Sequence, residues 1–169
     1  MNLTSLLELL VKGGGVRRYH NEPLDGQTVG HHSFGVAWFC WILCDGRPTA
    51  ELLYAAIHHD VAEGLVGDVP APTKRAIAGL KLTLDKYEAS VMSELGIPEP
   101  EIDDVDKRIL KFADIFEGML FCISQRHRGN KGADGVFNNF ADYARSMEPT
   151  GKANEVYSTL LEIYRNVSK

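Results

Sequence analysis

At 169 residues, 44% apolar and 24% charged, the chain has an ordinary globular composition and enough length for one core, so a single domain over residues 1–169 is expected. A net charge of −5 excludes a protein that wraps a nucleic-acid backbone, because that interface needs a basic face; it leaves a small anionic ligand open. No apolar run approaches the roughly 18–20 residues of a membrane span, and no basic region followed by an apolar block marks a signal peptide. The expectation is a cytoplasmic protein that binds neither nucleic acid nor membrane.

In chain order, Leu3, Leu6, Leu7 and Leu10 recur at helical spacing and predict a first short helix, with Gly13, Gly14 and Gly15 as its stop. Residues 16–27 show turn formers and no period, so they read as a loop carrying Arg17, Arg18, Tyr19 and His20. Residues 29–44 predict a second helix, apolar on most sides, as for a helix buried in the middle of a bundle. A third helix is expected over residues 49–65, stopped by Gly64 and Gly67. Pro70 and Pro72 then hold the chain extended.

A fourth helix is predicted over residues 80–95, with Gly96 and Pro98 as stop signals, and a fifth over 102–127. After a glycine-rich loop at 129–135, two shorter helices are expected near 136–147 and 153–166. No stretch alternates with period two. The fold class is therefore all-α, a compact helical bundle of six to seven helices. The three cysteines, Cys40, Cys44 and Cys122, fit a reducing compartment and read as small core hydrophobes.

Against this background, adjacent His59 and Asp60 supply one nitrogen and one oxygen donor for a divalent metal. His32 upstream and Asp114 downstream complete a set of two histidines and two aspartates, each on a helical segment. Such mixed N/O donors suit Mn, Fe, Co, Ni or Zn rather than Ca. Singly, each residue has a blander reading: His32 as a hydrogen-bonded core histidine, Asp114 as a core carboxylate, Glu63 as a solvated helix residue. Together they are far more specific. At about 100° per residue, His59 and Glu63 would share one face of the third helix. Asp68, on a loop braced by Gly67 and Pro70, could turn back over the same point. Glu63 and Asp68 are thus candidates to orient a water or move its proton. His31 and His58 point away from the ligands on this register and are expected to pack behind them, while His20 is a candidate pocket residue.

These segments resemble the HD-domain phosphohydrolases, above all the small bacterial 5′-deoxynucleotidases and the phage dATP triphosphohydrolases. The resemblance is carried by Val16-Arg17-Arg18-Tyr19, His32-Ser33-Phe34-Gly35-Val36-Ala37, the long run from His58-His59-Asp60 through Glu63 and Gly67-Asp68-Val69-Pro70 to Lys74, and Lys111-Phe112-Ala113-Asp114. It covers about residues 1–125. It implies an HD-domain bundle with His32, His59, Asp60 and Asp114 as metal ligands and Glu63 and Asp68 as catalytic carboxylates. Arg18 and Lys74 match phosphate contacts. Tyr19 stands where the deoxynucleotidases carry a tryptophan against the sugar.

The implied cofactor is a divalent transition metal (Co, Mn, Zn or Ni), with Mg on the phosphate tail as a further expectation. The implied partner is a deoxynucleotide, dATP by preference. The implied reaction converts dATP and water to deoxyadenosine and triphosphate. The chain is expected to be a homo-oligomer, in the host cytoplasm if phage-encoded. One alternative is a 5′-deoxynucleotidase acting on monophosphates; extra cations near the pocket, such as Arg17, Lys81 or Lys107, would favour a triphosphate. A nucleotide-binding regulator with an idle site is the more remote alternative.

Overall fold

α7 (Asp104–His127) is the axis of the molecule, packed against α2 (Val29–Leu43), α3 (Ala50–His58), α8 (Ala133–Ser146) and α9 (Gly151–Val167). The computed structural model describes residues 3–167, so the outermost residues of the expected 1–169 domain lie outside it. α7 can take this place because Phe112, Ile115, Phe116, Met119 and Ile123 recur at helical spacing and are all buried. They meet Val36, Phe39 and Cys40 of α2, Leu52 of α3, Phe137 of α8 and Tyr157 of α9 in one core. A smaller cluster of Leu9, Ala62 and Met92 joins α1 (Leu3–Gly15) to α6 (Leu80–Glu94). The described residues contain no strand, only an isolated bridge between Arg17 and Thr28. None of their helices is long and apolar enough to cross a membrane.

The all-α bundle is as expected. Two short helices, α4 (Glu63–Val66) and α5 (Ala71–Ala76), accompany the seven longer ones. Side-chain caps set the ends that matter. Thr28 accepts from the His31 amide, Thr49 from that of Leu52 and Asp103 from that of Asp106. Because Thr28 fixes where α2 starts, it also fixes which way His32 points.

Four local expectations are corrected. The glycine run forms the last residues of α1, which ends at Gly15, and none of the three is a left-handed stop beyond the helix. Gly13 instead lets α1 press against the backbone of the turn that carries His59 and Asp60. A Cβ at Gly13 would lie 2.4 Å from the Val61 carbonyl oxygen, and one at Gly64 would lie 2.7 Å from the Gly13 nitrogen. The third helix is not continuous: α3 ends at His58, residues 59–62 form turns, and α4 follows. Pro72 does not hold an extended segment. Pro70 is extended (φ −56°, ψ 138°) and takes the N-cap position of α5 without a side-chain cap bond, but Pro72 sits in the first turn of that helix, where a missing amide costs nothing. Finally, α2 is not enclosed on most sides: Phe34, Trp38 and Trp41 are 64%, 51% and 47% exposed.

The glycine geometry sets up a paired test. Gly13→Ala is expected to lower stability by about 1–3 kcal/mol, because the new methyl group meets unyielding backbone. A Cβ at neighbouring Gly14 meets nothing within 4 Å, so Gly14→Ala should gain about 0.5–1 kcal/mol from helix propensity. Thermal melts that move in the same direction for both variants would contradict this account.

Candidate metal centre and its surroundings

Three separate elements bring the expected ligands together. His32 comes from α2, His59 and Asp60 from the turn after α3, and Asp114 from α7. His32 Nε2 lies 3.3 Å from His59 Nε2, 3.3 Å from Asp114 Oδ1 and 3.6 Å from Asp60 Oδ2. His59 Nε2 lies 3.4 Å from Asp60 Oδ2. One donor atom each of His32, His59 and Asp114 falls within 4.8 Å of the others.

The imidazoles are oriented from behind. His59 Nδ1 donates to the Ala56 carbonyl at 2.9 Å, and His32 Nδ1 donates to the Glu117 carboxylate. Both Nε2 atoms therefore face the same point, where two neutral imidazoles would offer their lone pairs to a cation. Ligand atoms at 2.0–2.1 Å from a tetrahedral centre sit about 3.3 Å apart, so the donor set fits a divalent transition metal.

Electrostatics agree with this. Burial would raise the Asp60 and Asp114 pKa values, but neighbouring cationic groups overturn that. His59, Arg18 and His32 hold Asp60 below the ordinary carboxylate range, and His32 with Lys111 holds Asp114 well below it. For His32, burial pulls downward, but hydrogen bonds to Asp114 and Glu117 outweigh it and lift the pKa to about 9.

Arg18 donates through Nη1 to Asp60 Oδ2 at 2.5 Å. Burial disfavours its charge, but Asp60 more than restores it and moves the pKa above its ordinary value. Its Nε is buried without a hydrogen-bond partner among the described residues. Tyr19 adopts a left-handed backbone, φ 56°; its ring stacks on Phe121 at 5.3 Å and 5°, and the Arg18 guanidinium lies over it, 5.6 Å from the ring centroid. The loop thus presents a cation and an aromatic surface side by side.

Glu63 is 8% exposed, and its Oε2 finds no partner among the described residues. Burial first, then the charges of Asp60 and Asp68, push its pKa up to about 8. Lys74 Nζ stands 4.0 Å from Glu63 Oε1, and His20 Nδ1 stands 4.0 Å from Asp68 Oδ2. The end of α3 at His58 places Glu63 beside Asp60 by a turn, not by the shared helix face expected from spacing.

Of the remaining histidines, His31 is exposed and supports nothing behind the site. His58 is half-buried against the Tyr54 ring. Lys81 and Lys107 pair locally with Asp85 and Asp104. Three residues were given no role from the sequence. Lys111 donates to Asp114 Oδ2 at 2.8 Å, Glu117 receives His32, and Gln27 donates to Glu117 at 2.6 Å. Spacing could have found two of them, since Lys111 and Glu117 stand one turn either side of Asp114. Nothing local marks Gln27.

No protein-family model matches the sequence. The uncharacterized protein YfdR of Escherichia coli K12 is 31% identical over 89 residues, or 52% of this chain and 47% of YfdR. The chain spans about half the length of the curated relative it matches. Solved structures match over almost the whole chain. The PH0347 protein of Pyrococcus horikoshii OT3 has a TM-score of 0.72 at 20% identity, covering 96% of this chain and 98% of that one. The cyanophage S-2L HD phosphohydrolase DatZ, bound to dA and one catalytic Zn2+ ion, has a TM-score of 0.66 at 19% identity, covering 95% of each chain. An HD-domain phosphohydrolase of Listeria innocua has a TM-score of 0.67 at 18% identity, covering 99% of this chain and 90% of that one. The chain has the fold of the HD-domain phosphohydrolases.

Proposed function

We propose that this protein is a divalent-metal-dependent phosphohydrolase of deoxynucleotides, and that its preferred reaction converts dATP and water to deoxyadenosine and triphosphate. The observation that carries the hydrolase reading is the convergence of His32, His59 and Asp114, whose donor atoms lie within 4.8 Å of one another, with Asp60 Oδ2 3.6 Å from His32 Nε2 and 3.4 Å from His59 Nε2. The dA bound by the cyanophage enzyme of the same fold supports a deoxynucleotide.

A divalent ion held by these four residues would polarise a phosphoryl oxygen and lower the pKa of a bound water. Arg18 and Lys74 neutralise the phosphate charge that would repel the nucleophile. Glu63 holds a proton at neutral pH in the metal-free protein and can hand it to the departing sugar oxygen. Asp68 orients the attacking water. Tyr19 forms the wall for the sugar, and a tight wall leaves little room for a 2′-hydroxyl. Magnesium would serve the phosphate tail.

The monophosphate alternative has one observation in its favour: Lys81 and Lys107, which would have suited a longer phosphate tail, are engaged by Asp85 and Asp104. The self-association expected from the resemblance belongs to this proposal too. The exposed aromatic side chains of α2 support it, since large apolar patches seek cover.

Incubation with dNTPs, NTPs and dNMPs plus Co2+ or Mn2+, followed by chromatography, tests the assignment. dATP should yield deoxyadenosine and intact triphosphate without dADP. ATP should be poorer by about 10²-fold, the limit for an apolar wall, and Tyr19→Ala should narrow that gap. Stepwise release of single phosphates would refute the triphosphohydrolase, and turnover of dAMP with dATP untouched would select the monophosphate alternative.

Metal affinity should also depend on pH. Binding must displace the proton that His32 carries up to about pH 9. Apparent Co2+ affinity should therefore rise with pH from 6 to 8, by roughly tenfold per unit if one proton is released. A titration showing no pH dependence would contradict this.

A further inference from the structure

Glu117 is a carboxylate placed where the pattern of α7 calls for a hydrophobe. It is 5% exposed, one turn beyond Asp114, and faces two polar side chains as buried as itself, His32 at 0% and Gln27 at 1%. One carboxylate oxygen receives the His32 Nδ1 proton, and the other receives Gln27 Nε2 at 2.6 Å. The neighbouring helix makes room for it: a Cβ at Gly35 would lie 2.5 Å from Glu117 Cγ and 3.1 Å from Oε1. A buried carboxylate costs several kcal/mol unless it is hydrogen-bonded, so a site that needed only filling would be better served by Leu or Met. Gln27 in turn belongs to the loop that carries Arg18, and its carbonyl accepts from the Arg18 amide at 2.8 Å.

We propose that Glu117 and Gln27 are positioning residues that preset His32 for the metal and tie that setting to the loop that brings Arg18 to the site. The inference rests on the metal reading above. A neutral imidazole carries one proton, and the partner of one nitrogen decides which nitrogen keeps its lone pair. Glu117 holds the proton on Nδ1, leaves Nε2 as the donor and makes that donor more basic. Gln27 fixes the carboxylate in the pose that does this. Because Gln27 also anchors the Arg18 backbone, a displaced loop and a misdirected His32 are one event.

The test uses Co2+ titration followed by visible absorption, together with imidazole nitrogen NMR of the Zn2+-loaded protein. The variants are Glu117→Gln, Glu117→Met and Gln27→Leu. Glu117→Gln keeps a weaker acceptor, while Glu117→Met keeps the volume and removes the acceptor. Glu117→Met should weaken Co2+ binding by about 10–100-fold, the range for residues that orient a ligand, with Glu117→Gln and Gln27→Leu between it and wild type. In the wild-type spectrum His32 should carry its proton on Nδ1, with that proton far downfield, and in Glu117→Met the downfield signal should vanish. A packing role predicts instead that Glu117→Met binds Co2+ as wild type does, and that result would overturn the proposal. If Glu117→Met does not fold, the wild-type spectrum decides: a His32 proton on Nε2, or no downfield signal, overturns it equally. Failure of the wild-type protein to take up either ion would instead remove the metal reading itself.

Discussion

His59→Ala and Asp60→Ala are each expected to cut hydrolysis by about 10³-fold or more, because losing a ligand would cost the metal, and with it the lowered pKa that a bound divalent ion would give the attacking water. The two losses have different structural causes. His59 contributes a lone pair whose direction is set by the Nδ1 bond to Ala56. Asp60 contributes an oxygen but also the partner of the Arg18 guanidinium. Asp60→Ala therefore frees Arg18 from its anchor as well, so substrate affinity should fall along with rate. His59→Ala should leave the affinity contributed by Arg18 in place. Kinetics with added Co2+, alongside metal analysis of each purified variant, separate these effects. Full activity of Asp60→Ala in metal-free buffer would remove the HD-type mechanism.

Glu63→Gln and Asp68→Asn are expected to keep the metal and lose on the order of 10²-fold in rate, the usual contribution of a positioned acid or base. For Glu63 the sign of the pH dependence follows from its environment. Burial and the nearby Asp60 and Asp68 charges raise its pKa to about 8 in the metal-free protein, so the carboxyl is protonated below that value and loses the proton above it. A bound cation would draw the value down. If Glu63 supplies the proton to the leaving oxygen, activity falls as pH rises through its pKa, and Glu63→Gln flattens this alkaline limb. An alkaline limb identical in wild type and Glu63→Gln would exclude that role. Loss of the metal from Asp68→Asn would show that Asp68 is a ligand.

The helices were legible where one face alone repeats. α6 and α7 match their predicted spans within two residues at each end, because caps and stop signals are encoded next to the helix they bound. The proposed ligand set stood out for a different reason. Histidine beside aspartate, with a second histidine and aspartate in apolar helices, is a poor choice for packing and a good one for a metal.

What sequence misread were residues whose meaning lies in a distant neighbour. Gly13 looks like a helix stop until Val61 of the ligand turn is found against it. His59 and Glu63 look like one helix face until α3 ends early to turn His59 back to the Ala56 carbonyl. Pro72 looks like a breaker until its place in the first turn of α5 is known.

By itself, then, the sequence determined the all-α class, the spans of the longer helices and the candidates proposed as donors, because local periodicity and side-chain chemistry are properties of single segments. Only the tertiary structure decided how those donors are aimed. Glu117, Gln27 and Lys111 act on His32 and Asp114 through hydrogen bonds. Their strength depends on burial and on an approach of a few ångströms, and the approach of Gln27 and Glu117 to each other spans 90 residues of chain.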